Sequence, residues 1–174
     1  MGAHSWWSPA NGSSISDSTP DRLPDSGYLR AKVAQEAEIE AGEVPYTILR
    51  ATQFLEFLPQ IVEAGAEGDS VRLPTGLMQL VAAGDVAATV AELATSAPAN
   101  GRIELGGPEA LSVDAWARRL FAATGDDREV IADPHARYFG TELHGGELTT
   151  GDGARIGAID FDRWFAGKAQ GAAR

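Results

Sequence analysis

The chain contains no cysteine, which excludes disulfides, thiolate metal sites and a cysteine nucleophile. Lysine is almost as scarce: of the 14 basic side chains only Lys32 and Lys168 are lysine. No apolar run approaches the ~20 residues of a membrane-spanning helix. The first residues also lack the basic, apolar and small-residue succession of a secretion signal. A basic stripe is missing too. The 25 acids outnumber the bases, the net charge is −11, and Arg118-Arg119 is the nearest approach to a basic patch. A field of that sign repels polyanions, so the expected partners exclude nucleic acid and membrane, and the expected location is the cytoplasm. The three histidines, His4, His135 and His144, are scattered. Asp133 and His135 find no further ligand at helical or hairpin spacing, so no metal site is expected.

What is present is a foldable α/β pattern. The 174 residues are 44% hydrophobic, enough for one domain with a core. Residues 1–22 read as a disordered or irregular tail, because Asn11 to Pro20 is mostly Ser, Gly, Asp and Pro with one Ile. A helix is expected from Gly27 to Ala41, capped by Ser26 and stopped by Gly42, with Leu29, Val33 and Ala37 inward and Glu36, Glu38 and Glu40 outward. Strands are expected at Tyr46–Arg50, Val71–Leu73, Met78–Val81, Arg102–Leu105 and Glu129–Ile131. Pro59 must kink the helix from Gln53 to Ala64 or open a second one. Asp85 and Ser112 are expected to cap the next two helices, Gly125 ends the second, and Phe161, Trp164 and Phe165 mark a last short one. Alternating helices and strands imply parallel strands with helical crossovers.

Tyr28 and Lys32 lie four apart on the first helix and so share a face. An ammonium beside a phenol favours the phenolate, and a tyrosine so tuned exchanges a proton with a carbonyl or alcohol. The bland alternative is an amphipathic helix with a solvent-facing lysine. Arg50 ends a strand as either a substrate or phosphate contact or the partner of an acid at the surface. Phe54, Phe57 and Met78 either line a cleft or fill the core.

The run Asp21-Arg-Leu-Pro-Asp-Ser-Gly-Tyr-Leu-Arg-Ala-Lys-Val-Ala-Gln-Glu36 resembles the short-chain dehydrogenase/reductase superfamily, and more narrowly its NmrA-like, sugar-epimerase-like branch. Val44 to Phe54 looks like that branch's sixth strand and the loop that closes over the nicotinamide. Val81-Ala-Ala-Gly-Asp-Val-Ala-Ala88 and Gly106-Gly-Pro-Glu109 resemble two later steps, so the resemblance runs from about Asp21 to Phe165. It implies an α/β fold with a partial Rossmann-type parallel sheet and flanking helices. Residues 23–168 then form the C-terminal half of an NAD(P)-binding domain with its small substrate-side region, the first half being absent.

The same resemblance implies NAD or NADP as cofactor, Tyr28 and Lys32 as catalytic pair, and Lys32, Arg50, Ala51, Thr52, Gln53 and Phe54 as cofactor contacts. Ser16 stands twelve residues before Tyr28, where the family places its catalytic serine, but Ser13 to Pro20 lacks the apolar run of a central strand. No Gly-rich turn between a strand and a helix is present to seat the pyrophosphate. The isolated chain is therefore expected to bind dinucleotide no tighter than about millimolar. The expected function is that of an NAD(P)-dependent oxidoreductase lacking its phosphate loop. A non-enzymatic NAD(P)-binding module and an inactive remnant remain alternatives. The substrate is an unspecified small molecule, and an open edge beside Tyr46–Arg50 is expected to favour self-association.

Overall fold

The computed structural model describes the backbone of residues 13–17 and 27–172, and the side chains of residues 31–168. The elements, in chain order, are β1 (Ser13–Asp17), α1 (Gly27–Ala41), β2 (Thr47–Ala51), a 3-10 turn (Leu55–Phe57), α2 (Leu58–Glu63), β3 (Ala66–Glu67), β4 (Ser70–Leu73) and β5 (Leu77–Gln79). They continue as α3 (Ala83–Thr95), β6 (Gly101–Gly106), β7 (Ala110–Ser112), α4 (Val113–Thr124), β8 (Glu129–Ala132), β9 (Arg137–Tyr138), β10 (Thr141–Glu142), β11 (Arg155–Ile156) and α5 (Phe161–Ala172).

The principal sheet is parallel, with strand order β1-β2-β6-β11. Its central pair runs in register from Thr47 opposite Gly101 to Ala51 opposite Leu105. The strands expected at Tyr46–Arg50 and Arg102–Leu105 are thus parallel neighbours. Side chains alternate across a strand, so β2 presents two different faces. Leu49 and Ala51 join Val81, Val86 and Leu105 in an apolar cluster backed by Val90 and Leu93 of α3. Arg50 points the other way, to Glu36 of α1. Helices α1 and α3 therefore cover opposite faces.

The second part of the chain builds a larger apolar core from α2, α4, α5 and the short strands around them. Val113, Trp116, Ala117, Leu120 and Phe121 are the buried residues of α4, an apolar stripe at helical spacing. Gly125 ends that helix with φ 72, a left-handed turn natural to glycine. Pro59 falls in the first turn of α2 and so opens that helix. Gly107 lets β6 leave the sheet against β5. A Cβ there would stand 1.7 Å from the Leu80 carbonyl oxygen.

Four expectations need correction. Residues 13–17, placed in the irregular tail, form β1 and pair with β2 from Ser13 opposite Thr47 to Asp17 opposite Ala51. A ladder to a distant strand makes this element, and its polar composition carries no local signal of it. The rest of the tail, residues 1–12 and 18–22, and the Ser26 cap lie outside the described residues. It follows that β2 is not the open edge, since β1 covers it.

Glu36 is the third correction: it is inward and 1% exposed, whereas Ala37 is exposed and Val33 half-buried. Burial there follows the partners that β2 and β6 supply, not hydrophobicity. Last, neither Asp85 nor Ser112 makes a side-chain cap. The Ala83 amide at the start of α3 donates to the Glu56 carboxylate at 3.2 and 3.1 Å. Asp85 instead accepts the Ile159 amide at 2.9 Å and ties α3 to the segment before α5.

Candidate functional site

The C-terminal ends of parallel strands, where ligands of open α/β sheets bind, bring several expected residues together. Ser16 lies on β1 in register with Arg50 on β2. Tyr28 and Lys32 lie on the first turns of α1, which packs on β1. The side chains of Ser16 and Tyr28 fall outside the described set. Lys32 is buried, 7% exposed, so the solvent-facing alternative for it fails.

Beyond β2 the ladder continues: the Thr52 amide donates to the Leu105 carbonyl at 3.0 Å. Val81 then stitches the loop down. Its amide donates to Gln53 and its carbonyl accepts from Leu55, both at 2.9 Å. The loop after β2 is thus fixed by backbone bonds on two sides. Thr52 is 2% exposed, and its Oγ1 has no hydrogen-bond partner among the described residues. A buried hydroxyl left unpaired costs about 1–3 kcal/mol, so its place calls for a ligand group or a water.

The other loop residues divide. Ala51 belongs to the apolar cluster under α3. Gln53 and Phe54 are half-buried, and the Phe54 ring stacks on Phe57, 6.0 Å between centroids. Phe57 is largely exposed, whereas Met78 is wholly core.

Sequence reasoning missed the group that organises the α1 face. The Arg50 Nε donates to both Glu36 carboxylate oxygens at 3.1 Å, and Nη2 donates to Oε2 at 2.5 Å. Arg102 of β6 stands 3.3 Å from the same Oε2 and reaches Glu40 at 2.8 Å. Arg50, left open as a ligand contact or an acid's partner, is paired with an acid, and in the interior. The signal was Arg50 itself, an arginine inside the otherwise uncharged strand Thr47–Ala51. Arg50 and Arg102 pair with Glu36 and Glu40 here, inside a protein of net −11.

Amides at the N-termini of α3, α4 and α5, where anions would bind, are already engaged. Glu56 closes α3. At α4 the Val113 and Asp114 amides donate to the Gly76 and Pro74 carbonyls. At α5 the Arg163 amide donates to Asp160 at 2.9 Å. Among the described residues no group of three His, Asp or Glu side chains is placed to hold a metal, and no helix is long and apolar enough to cross a membrane.

The parallel sheet flanked by α1 and α3 is a Rossmann-like α/β arrangement. Solved structures bear this out at the level of fold. The chain superposes on a dTDP-4-dehydrorhamnose reductase from Clostridium acetobutylicum with TM-score 0.65 and 19% identity, over 91% of this chain and 65% of that one. The Bordetella bronchiseptica enzyme WbmG, solved with NAD and UDP, gives 0.59 and 15%, over 91% and 58%. A short-chain dehydrogenase/reductase superfamily protein from Agrobacterium tumefaciens, solved with bound NAD, gives 0.60 and 15%, over 99% and 79%. The chain thus spans less than two thirds of the first two proteins. No family model matches it, and no curated protein matches it in sequence.

Proposed function

We propose that this chain supplies the reactive end of an NAD(P)-dependent oxidoreductase of the NmrA-like short-chain dehydrogenase type. The observation that carries the reading is the placement of α1. Supporting it, α1 packs on β1, Lys32 of α1 is buried, and beyond β2 the Thr52 hydroxyl has no hydrogen-bond partner among the described residues.

In this reading Tyr28 passes a proton to or from the substrate oxygen, and Ser16 donates a hydrogen bond to that oxygen. Lys32 holds the phenol in its reactive state and donates to a ribose hydroxyl. Thr52 and the fixed loop from Gln53 to Phe54 flank the nicotinamide and exclude water. The chemistry the cofactor supplies when bound is hydride transfer. The substrate is a small carbonyl or alcohol.

In this reading the described residues meet the nicotinamide and ribose end. The pyrophosphate would need backbone N–H groups at a helix start, and those of α3, α4 and α5 are engaged.

Two ligands separate these statements. Reduced nicotinamide mononucleotide has no pyrophosphate. It is expected to bind in the millimolar range, about 4 kcal/mol, and Lys32→Ala or Tyr28→Phe is expected to weaken it in saturation-transfer NMR. NADH and NADPH are expected to bind no tighter by calorimetry. Mononucleotide binding indifferent to both substitutions would defeat the oxidoreductase reading. A micromolar dinucleotide constant that Lys32→Ala weakens would instead reveal a phosphate site in this chain.

A further inference from the structure

We infer that Glu36 is a positioning residue for the Tyr28–Lys32 pair; the inference rests on the function proposed above. Positions 28, 32 and 36 follow one another at four-residue spacing on α1 and form one stripe of the helix. The last of the three is a carboxylate 1% exposed. Apolar contact such as that of Ile48, on the same face of β2 as Arg50, is non-directional. A bidentate guanidinium–carboxylate pair is directional.

Arg50 supplies that direction from β2, gripping both oxygens of Glu36. Arg102 supplies a second anchor from β6, bridging Glu36 and Glu40 one turn apart. The rotation and axial position of α1 are thereby fixed against two neighbouring strands of the sheet. Arg50 is also the register partner of Ser16. The residue that grips the helix of the tyrosine and lysine thus sits beside the serine, and the clamp sets all three relative to one another.

The scarcity of lysine makes this measurable without a known substrate. Lys32 is buried and Lys168 exposed, so one acetylation experiment on the folded chain, read by mass spectrometry, contains both probe and control. In Glu36→Gln the Lys32 to Lys168 labelling ratio should rise at least about fivefold under native conditions, because α1 opens locally more often. Arg102→Gln, a partly exposed site that preserves the Arg50 pair, should raise it about twofold. Leu58→Ala destabilises the chain in the other core and should leave the ratio unchanged.

An unchanged ratio in the two clamp variants overturns the inference, and so does an equal rise in Leu58→Ala. Should Glu36→Gln fail to fold, Arg102→Gln against Leu58→Ala decides. The outcomes are separable from those for function. Mononucleotide binding that depends on Lys32, together with unchanged labelling, removes only the positioning role. Altered labelling without any such binding removes only the catalytic reading.

Discussion

The two faces of the parallel sheet are closed by different physics. Under α3 the contact is apolar: Leu49, Ala51, Val81, Val86 and Leu105 are each at most 4% exposed. Under α1 a buried ionic group joins the wholly buried Ile48, with Lys32, Glu36 and Arg50 at 7%, 1% and 6%. Apolar burial is roughly proportional to area and tolerant of direction. Buried ion pairs add little net stability, because desolvation offsets their attraction, yet they are unforgiving of a missing partner. The α3 face therefore holds the sheet together, and the α1 face fixes where one helix stands. Chemistry that depends on placement is expected on the second.

The sharpest way to break this comparison is to remove one ion and then both. Arg50→Met leaves the buried Glu36 carboxylate with Arg102 alone and should cost about 3–5 kcal/mol. Adding Glu36→Met should restore most of that loss, because neither charge is then buried without its partner, while Arg102 keeps Glu40. Denaturant titration of the two single variants and the double variant gives the coupling directly. If the double variant falls by the sum of the singles, the pair is not a closed unit.

The apolar face should behave otherwise. Leu105, 2% exposed between β6 and α3, should lose about 2–4 kcal/mol as Leu105→Ala, from lost burial and the cavity left behind. No second substitution nearby should recover it, apart from one that refills the volume. The same titration checks it. A loss below about 1 kcal/mol would mean that this face is not what holds the sheet.

How far the sequence disclosed all this also divides along the two faces. Elements with apolar periodicity were legible: the strand at Thr47–Ala51, the stripe of α4, the end of α4 at Gly125 and the opening of α2 at Pro59. The helix carrying Tyr28 and Lys32 was legible as well. What was hidden depended on partners far away in sequence. Ser13–Asp17 has no apolar pattern and becomes a strand only by pairing with β2. Glu36 reads as an outward charge until Arg50 and Arg102 are brought under it by the sheet. Asp85 reads as a cap until Glu56 takes that place. Local rules weigh a side chain by its own polarity, whereas burial of a charge is decided by what faces it.

The smallest effect concerns acid stability. Glu147 sits in the loop before β11, apart from both faces. Burial pushes its carboxyl up, but its own amide and those of Gly145 and His144 hydrogen-bond the carboxylate, and the balance lies below the ordinary 4.5. The Gly145 and His144 bonds measure 2.8 and 3.0 Å. A carboxyl whose folded value is depressed stabilises the fold when ionised. Its contribution is fully present above 4.5 and is lost as the pH falls through the lower folded value. Solvent at this half-buried site limits the contribution to about 1 kcal/mol. Glu147→Gln should therefore be less stable than the parent by about that amount near pH 7, and the gap should close as the pH falls well below 4.5. Thermal melts of both proteins across that range check it. A gap that stays constant with pH would mean that the glutamine's lost contacts, and not the carboxylate's charge, set the difference.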